Sequence, residues 1–264
     1  MAQPSRHGTP SSPPSAGNVT PERPAVRTEL AVDAVPYHAD VTTAELYPAV
    51  RAKLLELAAG LSREQSELPV PALPGWRVKD AYAHLTGLCG DMLDGRMEGA
   101  GSAAWTAKQV AARSRHDLSE ICAEWLERGP ALDDQLAKAG DHAPTFVAFD
   151  VWNHYQDVRS AVGLRGERDR EQLAYLAAEA LGAFDGRFRE AGVPALRVIT
   201  EHVDRNLGDG PPDATLATTD YELVRILFGR RSLAQITNAG WNGEPAAYVD
   251  HLHLFDPPVS DLAD

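Results

Sequence analysis

Apolar residues recur at helical spacing along most of the chain. In "TTAELYPAVRAKLLELAAG", residues 42–60, Leu46, Val50, Leu54, Leu55 and Ala58 follow one another at intervals of three and four, and Gly60 is placed to close a helix. A Pro-punctuated loop, "LPVPALPGWRV", follows. A second helix is predicted over residues 78–97, with a stripe through Val78, Ala81, Tyr82, Leu85, Leu88, Cys89 and Met92. The third helical region spans residues 104–138, with an interruption at Ser114 to Asp117, where "SRHDLSE" offers capping residues. The fourth covers residues 144–162, with Pro144 suited to its first turn.

Four helices with alternating apolar faces make an antiparallel bundle the economical architecture, and a further helix over residues 170–191 leads out of it. Beyond residue 191 the pattern changes. "LRVITE" and "ATLATT" have the β-branched content of strands, "YELVRILFGRRS" reads as an amphipathic helix ended by Gly229, and "SLAQITNAG" as another. The expected organisation is therefore α plus (α+β). A tail over residues 1–38, rich in Pro, Ser and Gly, precedes a helical domain over 39–191 and a small mixed α+β domain over 192–256. Residues 257–264 form a short second tail.

The fourth helix carries the chemistry. Val147, Val151, Val158 and Val162 mark its core side, yet Asp150 lies three residues after Val147, and His154 three after Val151 and four before Val158. Both polar groups project inward, and at i, i+4 they can reach one point in space. Buried unpaired, they would cost several kcal/mol, so they call for each other, a further partner or a metal. His84 borders the stripe of the second helix, three residues after Ala81 and four before Leu88. Together, His84, Asp150 and His154 offer two nitrogens and one oxygen, a set suited to Zn²⁺ and also to Fe²⁺, Ni²⁺ or Mn²⁺. Three protein ligands leave a coordination position open, as catalytic sites do. Spacing alone equally permits a satisfied acid–imidazole pair beside a surface histidine.

Charge and cysteine usage narrow the partners. Lys and Arg number 25 against 38 Asp and Glu, a net charge of −13, and no segment supplies a basic patch, which argues against nucleic acid. No run approaches the ~18 apolar residues of a membrane span, and the N-terminus lacks the apolar core of a signal peptide, so a cytoplasmic protein is expected. The two cysteines, Cys89 and Cys122, stand far apart in sequence and form no C-x-x-C pair.

Three stretches, "LELAAGLSREQSELPVPALPGWRVKDAYAHLTG", "WTAKQVAARSRHDLSEICAEW" and "HYQDVRSAVG", resemble the mycothiol-dependent maleylpyruvate isomerase family. "YELVRILFGRRSLAQI" and "WNGEP" resemble that family's sterol-carrier-protein-like C-terminal part, so the likeness runs over about residues 42–255. The resemblance implies a DinB-like four-helix bundle whose metal is held by the histidine of a W-x-V-x-D-x-x-x-H-L segment and by a helical acid-x-x-x-H pair, which fall on His84, Asp150 and His154. The acid is commonly glutamate in the family and is aspartate here. Gln156 stands where some relatives carry a second histidine.

Asp157, three residues after His154, is placed to orient its imidazole, or else to pair with Arg159 or solvent. Trp105 and Gln109 are placed to line the pocket, and Arg230, beside Arg231 in a stretch like the family's "GR" segment, to clamp a substrate carboxylate. No acid–base residue beyond the ligands is identified. The resemblance implies a divalent metal, zinc first, and mycothiol or another small thiol as cosubstrate. Ionised at the metal, the thiol would add to a small electrophile, giving isomerisation or S-transfer. Two other readings remain open: a metal- or ligand-binding regulatory module without turnover, and a hydrolase using metal-bound hydroxide. Substrate and oligomeric state are not legible.

Overall fold

The computed structural model describes residues 41–263, so the tail expected over 1–38, and Asp264 of the one expected over 257–264, lie outside the described residues. The protein is mostly helical and carries a small mixed four-stranded sheet.

Helix α1 (Thr43–Ala59) starts where Glu45 reaches back to accept from the Thr42 backbone N–H at 2.9 Å, and it buries Leu46, Tyr47, Val50, Leu54 and Ala58. A one-turn helix, α2 (Arg63–Ser66), precedes the Pro-rich loop. Helix α3 (Val78–Leu93) stops four residues short of the predicted Met97: Gly95 takes φ +68°, and Arg96 N–H closes onto Asp91 O at 2.8 Å. Helices α4 (Ala103–Ala112) and α5 (Leu118–Ala139) flank the expected interruption. Ser102 Oγ accepts from Trp105 N–H at one start, and Asp117 accepts from Glu120 N–H at the other. Helix α6 (Phe146–Ala161) begins after Pro144, not on it. The proline holds Ala143 extended, Thr145 becomes the N-cap, and the Pro144 carbonyl accepts from Val147 N–H.

Helices α1 and α3 each pack against both α5 and α6, and α4 packs on α3. The space between them is filled by Trp125, Tyr82, Tyr47, Leu85, Leu88, Ile121, Val147 and Val151, all fully or almost fully buried. Buried polar atoms among them are matched: Trp125 Nε1–H donates to Tyr47 Oη at 3.2 Å and Tyr82 O–H to Leu54 O at 2.8 Å.

After α7 (Arg170–Ala191) come β1 (Leu196–Ile199), β2 (Asp204–Leu207), β3 (Ala214–Ala217), α8 (Asp220–Leu227), α9 (Leu233–Thr237) and β4 (Gly240–Asn242). The sheet order is β2-β1-β3-β4, with β1 and β3 parallel and both outer pairings antiparallel. The apolar patterns announced β1 and β3. β2, "DRNL", is an edge strand with three of four residues exposed, and β4 has three residues, so neither carries that signal. α7 packs on α8 and β2. α8 ends before Gly229, which adopts φ +70° close against Phe255. No helix among the described residues is long and apolar enough to cross a membrane.

Candidate metal centre

Where α3 meets α6, His84, Asp150 and His154 each turn one potential ligand atom to a common point, the three atoms lying within 4.8 Å of one another. His84 Nε2 is 3.1 Å from Asp150 Oδ2, and His154 Nε2 is 3.5 Å from Asp150 Oδ1. Around an ion with bonds of about 2.0–2.1 Å, tetrahedral ligand atoms sit ~3.3 Å apart, and the Oδ1 atom of Asp150 lies 3.3 Å from His84 Nε2 and 3.5 Å from His154 Nε2, near that value. Both imidazoles are buried, while the Asp150 side chain is 26% exposed and marks the side open to solvent.

The far ring nitrogens reveal the tautomers. Gln109 Nε2 donates to Asp91 Oδ2 at 2.7 Å; a carboxylate only accepts, so the amide oxygen faces His84 Nδ1, also at 2.7 Å. His84 therefore carries its proton on Nδ1. His154 Nδ1 has no hydrogen bond among the described residues; an acceptor-only group, Asp157 Oδ2, lies 3.4 Å away and favours a proton on that nitrogen by charge alone. In neutral rings of this tautomer both Nε2 lone pairs would point at the Asp150 carboxylate, an arrangement that repels unless a cation lies between them. A proton on either imidazole would supply that positive charge as well as a metal would. Burial pushes the Asp150 carboxyl up, but His84 and His154 outweigh it and hold it well below the ordinary range. Burial likewise opposes a charged His154, yet Asp150 and then Asp157 raise its pKa above the usual value. Two nitrogens, one carboxylate and a demand for positive charge fit a divalent metal.

Aromatic rings wall the point of convergence. Trp76 stacks on His154 (centroids 5.8 Å apart, planes 13° apart) and meets His84 edge-on at 5.5 Å. Trp105 meets His84 edge-on at 6.4 Å, its indole N–H bound to Arg96 O. Trp76 escaped the sequence reading although it opens the quoted W-x-V-x-D-x-x-x-H-L segment. Gly87, one turn after His84, admits Gln109, since a Cβ there would come within 2.5 Å of Gln109 Cβ. That contact lies next to the backbone and cannot swing away. Gly87→Ala is therefore expected to cost about 1–3 kcal/mol of overpacking, more than the ~1 kcal/mol of helix propensity it adds. Urea unfolding checks it; unchanged or raised stability would show that α4 yields freely.

The other sequence candidates fall into a second layer. Trp105 and Gln109 contact His84, and Asp157 lies behind His154. Asp157 is wholly buried and pairs with Arg225 and Arg230, whereas Arg159 binds Tyr155 Oη and Arg165 O. The Arg230 guanidinium is taken up by the protein's own Asp157 and by Phe228 O. Gln156, also buried, accepts from Glu167 N–H at 2.8 Å. Arg225 and Asn153, which sequence reasoning missed, meet each other beside Asp157. A cleft of about 710 Å³ opens elsewhere, lined by Leu55, Ala58, Cys122 and Leu126 among others; it includes none of these groups.

Residues 47–159 match the family model described as the mycothiol maleylpyruvate isomerase N-terminal domain, a span that holds His84, Asp150, His154 and Asp157. Among solved structures the fold is similar to the crystal structure of the mycothiol-dependent maleylpyruvate isomerase, at 15% identity and a TM-score of 0.48, covering 71% of this chain and 88% of that one. A histidine-to-alanine mutant of that isomerase matches with the same values. No curated protein matches.

Proposed function

We propose that residues 39–191 are a DinB-like antiparallel four-helix bundle holding one divalent metal, zinc foremost, on His84, Asp150 and His154. Residues 192–256 form a sterol-carrier-protein-like α+β domain beside it. The protein is then a cytoplasmic enzyme that uses a small thiol, mycothiol first, against a small electrophile, as an isomerase or an S-transferase. The observation that carries this reading is the convergence of two imidazole Nε2 atoms on one carboxylate, with an acceptor already near each Nδ1. The family match over residues 47–159 supports the choice of thiol and of a maleylpyruvate-type substrate. One methylene shorter than glutamate, Asp150 still comes within 3.1 Å of His84 Nε2, which supports its place in the ligand set.

A bound metal supplies the positive charge that lets a thiol ionise at neutral pH. The protein's own groups do the rest. Gln109 holds the His84 imidazole turned inward, the Asp157 carboxylate favours the same orientation of His154 by charge, Trp76 and Trp105 restrict water around the two rings, and a thiol would approach from the exposed side of Asp150. The thiolate then adds to a conjugated carbon. The addition would leave an enolate: rotation about the former double bond and expulsion of the thiolate would give isomerisation, whereas protonation of the enolate from water with the C–S bond retained would give transfer.

Zinc-loaded protein incubated with mycothiol and maleylpyruvate, or with other cis-configured unsaturated oxo acids, tests the reading. The expected result is conversion that needs thiol and metal together. Isomer formed without thiol consumption identifies the isomerase, and a thioether product the transferase. Hydrolysis that proceeds without thiol would overturn the reading in favour of a hydroxide mechanism, and thiol binding with no turnover of any electrophile would reduce the protein to a binding module.

A further inference from the structure

Asp157 sits one turn beyond His154 on α6, and its side chain has no exposed surface. A carboxylate buried so deeply needs cations, and two come from the C-terminal part of the chain. Arg225, in α8 and itself fully buried, places Nη2 2.7 Å from Asp157 Oδ1, while its Nη1 donates to Asn153 O and Oδ1 at 3.4 and 3.2 Å. Arg230, just past α8, brings Nη2 and Nε to Oδ2 at 3.0 and 3.3 Å and ties its own position to Phe228 O. Each carboxylate oxygen therefore has one guanidinium, and Oδ2, held by Arg230, sits 3.4 Å from His154 Nδ1, a charged contact short of a hydrogen bond to a nitrogen otherwise unpartnered among the described residues. The opposite imidazole is held differently: His84 leans on Gln109 and Asp91, from α4 and α3.

We propose that Arg225 and Arg230 are positioning residues for the metal site: by locking Asp157 they aim His154, so that the layer built around α8 sets how tightly the helical part holds its metal. This rests on the metal-binding reading given above. Two buried arginines that only stapled α8 to α6 would affect stability alone. Positioning residues also change the affinity of the folded protein for metal, because a ligand histidine whose outer acceptor is displaced loses both basicity and orientation.

The test is zinc affinity, measured by competition with a chromophoric chelator, together with the visible spectrum of the Co²⁺-substituted protein. It uses wild type, Arg230→Gln and Asp157→Asn, each verified as folded by circular dichroism. Arg230→Gln leaves Arg225 on Asp157 and is the milder change, so it decides the matter if Asp157→Asn does not fold. Both are expected to bind zinc about 10–100-fold more weakly and to shift the Co²⁺ bands. Arg51→Met, which breaks the Arg51–Asp133 ion pair between α1 and α5, should lower stability and leave affinity and spectrum unchanged. Wild-type affinity and an unaltered Co²⁺ spectrum in folded Arg230→Gln would overturn the proposal while leaving the metal site standing. A wild-type protein that takes up no metal would instead remove the site itself and the proposal with it.

Discussion

His154→Ala is expected to take bound zinc from one ion per chain to none and to abolish thiol-dependent turnover. The loss should exceed the roughly 100-fold that removing an outer partner can cost, because a ligand itself disappears. Asp150 and His84 alone leave two protein donors, too few for the tetrahedral set that zinc prefers. His84→Ala should behave alike, since its Nε2 lies as near Asp150 as that of His154 does. Elemental analysis of protein purified without chelators reads the first effect. A thiol-dependent conversion assay reads the second, and thermal unfolding checks the first independently. Zinc at ~1,000 times its dissociation constant should stabilise wild type by about 4 kcal/mol, and that increment should vanish in both variants. Full zinc occupancy in either one would remove that histidine from the ligand set.

The parts of this site that were legible in the sequence are those where a polar residue interrupts a local apolar rhythm. Asp150 and His154 stand out because Val147, Val151 and Val158 define a face on which neither belongs, and both fall within one helix. The helices themselves were legible for the same reason, as periodicity needs only neighbours a few residues away. The Asp157–Arg225 pair left no such trace. Its members lie on different helices, and Arg225 inside "YELVRILF" looks like any arginine on an amphipathic helix until tertiary packing encloses it. Arg230 shows the same limit. Its chemistry, a fork for a carboxylate, was readable; that the structure supplies Asp157 for it was not. Edge strands β2 and β4 stayed hidden because their pairing is provided by β1 and β3, with little in their own composition to announce it.

Arg225→Met is expected to weaken the fold strongly. Breaking a buried ion pair by removing one partner typically costs about 3–5 kcal/mol, because the surviving charge stays buried. Asp157 keeps Arg230, which places the expected loss near the lower end, while methionine fills most of the vacated apolar volume. The pH dependence separates charge from packing. Burial raises the Asp157 carboxyl, but Arg230, Arg225 and His154 outweigh it and hold it well below the ordinary range. A carboxyl depressed in the folded state contributes its stability above the unfolded value of about 3.9 and loses it as pH falls below that. Without Arg225 the depression is smaller, so the deficit of the variant in urea unfolding should be full at about pH 6–7 and shrink as pH falls below about 4. A deficit that stayed constant across that range would assign the loss to the packing of the arginine stem, and the ionic account of Asp157 would fail.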